Sequence, residues 1–275
     1  MTNHTTFPSL GVSRDNPPPA LPAVVADSGR TPPLGYIQLG VATEIAPTLL
    51  GFGLDPDPVI RAAGLDPHLF DDGASVIPHA ALGRLLTLCV IRTHCPHFGL
   101  LVGRRATILS LGLVGRLMQH SNTVGDALRA LVSNLSIQDR VAVPLLTTSD
   151  GTALFSISVY QPAAESADQI SDGTLAVTVN ALRSLCGCDW RPAEVLVPRA
   201  TPADCEPYWR HFRAPVRFNQ EMAAVVFPAR DLERRVAGAD PMMRTLLEER
   251  IGHLKARPGC EFSDDVRRLL RTRLT

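Results

Sequence analysis

The chain has 275 residues, enough for one large domain or two small ones. Apolar residues make up 45% of it, which excludes wholesale disorder. Its 27 basic and 27 acidic residues cancel, so no global field draws it to nucleic acid or to an anionic membrane.

Residues 1–33 hold Pro17, Pro18, Pro19, Pro22, Pro32 and Pro33 among small polar residues. Proline neither donates to a ladder nor continues a helix, so this stretch reads as a disordered leader. Ile37, Val41, Ile45, Leu49 and Leu50 follow near-helical spacing, interrupted by Pro47. A short phrase then occurs twice, as Gly53-Leu54-Asp55-Pro56 and Gly64-Leu65-Asp66-Pro67. In each copy glycine suits a helix stop, aspartate a cap, and proline the next first turn.

Val76-Ile77-Pro78 leads into a helix with Leu82, Leu85, Leu86, Cys89 and Val90 on one stripe. Further helices are expected over residues 96–105 and 111–120. Thr123 and Asp126 have the spacing of a helix-opening cap, before the stripe Val124, Ala127, Leu128, Leu131 and Leu135. After Arg140 the period shortens. Asp150-Gly151 marks a hairpin turn, and Phe155, Ile157 and Val159 alternate with serines as a strand requires.

A long helix follows from about Ala167 to Leu185, with Ile170, Val177, Ala181 and Leu182 inward. Glu194–Val197, Val216–Phe218 and Ala223–Phe227 read as strands, and Thr201-Pro202-Ala203-Asp204 as a helix opening between them. Asp240-Pro241 starts a helix with Met243, Leu246, Leu247, Ile251 and Leu254 expected inward. Pro258-Gly259 breaks it, and Ser263 caps a last helix. The order predicts an α+β fold, a helical N-terminal block packed with a small, mostly antiparallel sheet and a helical C-terminal end.

Local signatures of catalysis are missing: no phosphate loop, no dinucleotide-binding fingerprint, no nucleophile elbow and no zinc-protease helix. His94-Cys95-Pro96-His97 gathers three metal-capable side chains, but at a helix junction and without a fourth partner nearby. Cys186-Gly187-Cys188 ends the long helix outside any redox context. No cofactor and no metal are therefore expected. No secretion signal and no apolar run of membrane-spanning length occur, and the six cysteines lack disulfide-scaffold spacing, so a cytoplasmic location is expected. Lys255 is the only lysine, an arginine bias that fits a GC-rich bacterial genome.

The ordered phrases carry a family resemblance. They are Ala63-Gly64-Leu65-Asp66-Pro67, Val76-Ile77-Pro78, Phe98-Gly99-Leu100, Leu111-Gly112-Leu113 and Thr123-Val124-Gly125-Asp126-Ala127-Leu128. Trp190-Arg191-Pro192, Val216-Arg217-Phe218, Val226-Phe227 and Ala239-Asp240-Pro241 complete the series. From about Tyr36 to Arg250 the chain resembles the N-terminal, arabinose-binding-like domain of AraC-family transcription regulators. Ser263 to Leu274 looks like the first helix of that family's helix-turn-helix domain, whose recognition helices do not follow.

The resemblance implies an effector-binding and dimerisation domain over residues 34–258, then a linker and the start of a DNA-binding domain over 259–275. Its expected partners are a small-molecule effector, a second copy of the chain, and operator DNA only through a missing C-terminal domain; no membrane is expected. A stand-alone small-molecule-binding or interaction protein that lost its DNA-binding half is the alternative. An enzyme with a site lacking local signature is a third reading.

A pocket needs a few polar groups among apolar walls. His79, Arg84, Arg104, Gln119 and Asn134 lie on or beside the apolar central helices and are the candidate effector contacts, although each also reads as an exposed helix position. Arg267, Arg268 and Arg271 form the basic run that would touch DNA phosphates, or simply a solvated face.

Overall fold

A computed structural model describes residues 32–159 and 165–256. The expected leader up to residue 31 and the basic run Arg267, Arg268 and Arg271 lie outside the described residues.

Among the described residues the first element is strand β1 (Tyr36–Gln38), which pairs antiparallel with β2 (Val76–Pro78). The helical spacing read from Ile37 onward is therefore overturned at its start. Tertiary pairing with the buried Val76-Ile77-Pro78 segment outweighs local periodicity there, and a 3-10 turn at Gly40–Glu44 precedes helix α1 (Ile45–Gly51). The repeated phrase behaves as read. Gly53 and Gly64 take the left-handed conformation, with φ of 73° and 80°. Asp55 accepts a hydrogen bond from the Asp57 amide at the start of α2 (Pro56–Ala62), and Asp66 does the same for His68 in the turn Pro67–Asp71.

Four helices follow: α3 (His79–Thr93), α4 (Phe98–Arg105), α5 (Gly112–Gln119) and α6 (Val124–Asn134). Thr123 caps α6 by accepting from the Asp126 amide at 3.1 Å. Strands β3 (Ala142–Ser149) and β4 (Thr152–Val159) are joined by Asp150-Gly151, both at positive φ, as a tight two-residue hairpin requires.

Helix α7 (Ala167–Cys186) then crosses the molecule. It is followed by β5 (Glu194–Leu196), α8 (Glu206–Phe212), β6 (Val216–Arg217), β7 (Ala224–Pro228) and α9 (Pro241–Lys255). Helix α8 starts later than its sequence signal implies. Asp204 still turns the chain by accepting from the Glu206 amide, but Cys205 is the residue before the first turn.

The larger sheet has the order β3-β4-β7-β5-β6. Its pairs are antiparallel except β5–β6, which is parallel. The fold is α+β. On α9 the inward face is narrower than expected. Leu247 and Ile251 are buried, whereas Met243 and Leu246 are exposed.

Two apolar cores result. One packs α1, α2, α3 and the apolar side of α4; the other packs α5, α6 and α7 against the sheet. They meet where α4 lies on α7. The approach is possible only because glycine stands at the contact. A Cβ on Gly99 would sit 2.0 Å from the Gln169 carbonyl oxygen, and one on Gly103 would sit 2.2 Å from that of Gly173. Both values are well inside contact distance and both obstacles are backbone, so no side-chain rotation relieves them.

Replacing Gly103 by alanine must therefore move a helix. We expect Gly103→Ala to lose about 1–3 kcal/mol by overpacking. Gly252→Ala, on the exposed face of α9 with open space around it, should instead gain up to about 1 kcal/mol. Urea unfolding midpoints measure both, and equal effects at the two positions would contradict the packing account.

Candidate functional site

Beside the glycine contact the two cores do not close completely. A cavity of about 150 Å³ lies there. Its long wall is the stripe Ile170, Gly173, Thr174, Val177, Thr178 and Ala181 of α7, residues that a 3.6-residue period brings to one face. The N-terminal core contributes Leu82, Leu86 and Val102; the sheet core contributes Met118, Leu128 and Leu131. The segment from β1 into the 3-10 turn covers another side with Gln38, Leu39 and Ala42.

Most polar groups on these walls are already engaged. Gln169 accepts from the Gly99 amide and donates to the Pro96 carbonyl, both at 2.8 Å, and so ties α7 to the start of α4. Gln138 donates to the Leu111 carbonyl at 2.6 Å, and Thr178 to that of Thr174 at 2.8 Å. Asp139 accepts from the amides of Val141 and Ala142. Burial pushes the Asp139 carboxyl above the usual carboxylate range, against the opposing pull of the Val141 amide and the His79 charge.

A second polar cluster lies on α7 nearer the sheet. Asp172 is fully buried. Arg199, in the segment after β5, donates to the Asp172 carboxylate at 2.5 Å, to the Tyr208 hydroxyl at 2.7 Å and to the Pro96 carbonyl at 3.0 Å. Tyr208 itself donates to Asp172 at 2.6 Å. Burial pushes the Asp172 carboxyl up to about 6, although the Arg199 charge pulls it down. At neutral pH it stands ionised opposite Arg199. The cluster ties α7 and α8 to the segment that leads into α4.

Comparison with known proteins fits this architecture. Residues 53–236 match the family described as the arabinose-binding domain of AraC transcription regulator, N-terminal. The chain belongs to this AraC-type family. The crystal structure of the transcriptional regulator CdpR from Pseudomonas aeruginosa has the same fold, with a TM-score of 0.53 at 17% identity. The likeness covers 73% of this chain and 64% of CdpR, so the chain spans less than two thirds of that protein. No curated protein matches the sequence.

In this AraC-type domain, His79 is buried at the start of α3 and acts electrostatically on Asp139, which lines the cavity. Arg84 points to the Ala63 carbonyl at 3.4 Å, toward α2. Arg104 is exposed, Gln119 is half-buried at the end of α5, and Asn134 donates to the Ala130 carbonyl of its own helix at 2.7 Å. None of the five is among the residues that line the cavity.

Helix α7 carried a readable sign on the face that meets α4, where Gln169 and Gly173 line the cavity and Asp172 and Ala176 do not. Gln169, Asp172, Gly173 and Ala176 share one stripe, so two polar groups and a glycine occupy positions where a core helix normally places large apolar ones. Among the described residues no group of three His, Cys, Asp or Glu side chains is placed to hold a metal. His94 ends α3 in the left-handed conformation, and Cys95 is buried behind it. Burial pushes the Cys186 thiol up to about 11, away from a reactive thiolate.

Asp172 titrates higher in the folded chain than its ordinary 3.8, so its contribution to stability falls as pH rises from there through about 6. Removing its partner makes that penalty larger. Arg199→Met should cost about 3–5 kcal/mol near pH 8, and clearly less at pH 5, where Asp172 can take up a proton. Asp172→Asn combined with Arg199→Met should recover part of the loss. Urea midpoints at the two pH values test this, and a pH-independent loss would contradict the pairing.

Proposed function

We propose that this chain is the effector-sensing and dimerising part of an AraC-type DNA-binding regulator, and that the cavity between the two cores receives the effector. One observation carries the reading: the cavity takes its walls from both cores, at the seam where they meet. A molecule bound there interacts with the relative placement of the two halves. It shifts an equilibrium between arrangements only to the extent that it binds one better than the other.

The walls also lead toward the C-terminal end. Leu135 and Gln138 line the cavity within and just after the 3-10 turn Leu135–Ile137. Helix α9 packs on that turn, and Lys255 donates to the Ser133 carbonyl at 2.6 Å. A neighbouring cleft has Gln138 and Leu254 in its lining together. In our reading a change at the cavity reaches α9, and through α9 the segment that continues toward residues 257–275. In this reading operator contact belongs to the C-terminal side, where the sequence carries the basic residues Arg267, Arg268 and Arg271.

The regulator is proposed to act as a homodimer in the cytoplasm, without catalysis and without a cofactor. Among the described residues no single helix is long and apolar enough to cross a membrane. His79 enters the proposal as a buried neighbour of Asp139, whose ionised form it favours less strongly than burial disfavours it.

Three measurements check this. A thermal-shift screen of metabolites should return a specific binder, which stabilises the folded form by mass action. Hydrogen exchange with that binder present should then show protection at residues 170–181 and 37–42. Protection elsewhere only, or catalytic turnover, would overturn the reading. Sedimentation should give a mass near twice 29.7 kDa, and a monomer at tens of micromolar would contradict the dimer.

A further inference from the structure

Resting on the effector-site reading above, we infer that the cavity is built for a compact, uncharged and mainly apolar molecule, and not for a sugar or a carboxylate. The word arabinose in the family's description makes this a departure worth testing.

Among the described lining residues there is no lysine, arginine or histidine, so nothing is placed to pair with an anionic ligand. The one lining carboxylate, Asp139, accepts from two backbone amides and lies near the His79 charge. A cationic ligand would have to compete with those partners.

The amides and hydroxyls are largely committed as well. Gln169, Gln138 and Thr178 spend hydrogen-bonding groups on the protein's own carbonyls and amides. Ser110 accepts from the Thr107 amide. The Gln38 and Thr174 side chains have no hydrogen bond to the described residues, and Gln138 keeps its amide oxygen, so polar contact is confined to these few groups. A monosaccharide presents several hydroxyls, and each one buried without a partner weakens binding by roughly tenfold.

The remaining walls are aliphatic, with Leu82, Val102, Met118, Leu128, Val177 and Ala181 facing the space. A volume of about 150 Å³ suits a molecule of one small ring or a short chain, the size at which apolar cavities are known to take benzene. One polar substituent can reach Gln38 or Thr174. A substituted phenol or a short alcohol has this chemistry.

The test uses four probes on the full chain: p-cresol, hexanoate, n-hexylamine and L-arabinose. Binding is followed by thermal shift and by isothermal calorimetry. We expect p-cresol to bind one-to-one and to raise Tm by roughly 3–6 °C at ten times its Kd. The other three should leave Tm unchanged at the same concentration.

Ala181→Leu fills the cavity from α7 and should weaken p-cresol at least tenfold while leaving the far-ultraviolet circular dichroism unchanged. If that variant does not fold, Val177→Leu makes a smaller addition to the same wall. Hexanoate, n-hexylamine or L-arabinose binding better than p-cresol, and lost in Ala181→Leu, would overturn the ligand class but keep the cavity as the effector site. Absence of any response, or a p-cresol response untouched by both variants, would overturn the class and the site together.

Discussion

The backbone contact between α4 and α7 is the constraint on which the rest of the molecule depends. Gly99 and Gly103 on one helix meet the Gln169 and Gly173 carbonyls of the other at distances that no side chain tolerates. The contact draws two separate apolar cores onto one seam. It also fixes where that seam cannot close. Further along α7 the facing residues are Val177 and Ala181, and the helices and turns opposite leave open space between them. Interiors are normally packed to the density of organic crystals, so a void at the junction of two cores is informative in a way that a surface cleft is not.

Buried polar groups hold that geometry in place. Gln169 reaches across the contact with both ends of its amide, to Gly99 and Pro96. Arg199 donates to the same Pro96 carbonyl while neutralising Asp172, and Tyr208 closes the cluster from α8. A buried ion pair adds little net stability, because desolvation offsets most of the attraction. Its effect is on position. Moving α7 away from the segment after β5 would leave the Asp172 and Arg199 charges unpaired, so that placement has few alternatives.

Much of this fold was legible in the sequence, where local chemistry decides the local outcome. The two Gly-Leu-Asp-Pro phrases, the Thr123 cap and the Asp150-Gly151 hairpin each behave as their residue types require. The exceptions arise where distant residues decide. Tyr36–Gln38 becomes a strand because Val76–Pro78 lies beside it, and on α9 Met243 and Leu246 of the expected inward face are exposed, while Leu247, Ile251 and Leu254 meet the core. The cavity belongs to this second kind. Its lining is drawn from segments between residues 37 and 181, and most of those residues are ordinary aliphatics with no signature. The expected contacts His79, Arg84, Arg104, Gln119 and Asn134 are polar groups on helices, whereas the cavity is defined mainly by where small and aliphatic side chains fail to fill space. On α7 the polar residues Gln169 and Asp172 share a stripe with Gly173 and Ala176; it marks the contact with α4, and of the four only Gln169 and Gly173 line the cavity.

The central claim is that a dry, apolar space lies at the seam of the two cores. Diffraction from crystals of the protein under xenon pressure tests it most directly, because xenon enters apolar cavities and ignores polar, hydrated ones. The account predicts a xenon peak in contact with Val102, Leu128, Val177 and Ala181. A chain of ordered waters in that space, or side chains packed through it with no xenon, would contradict it.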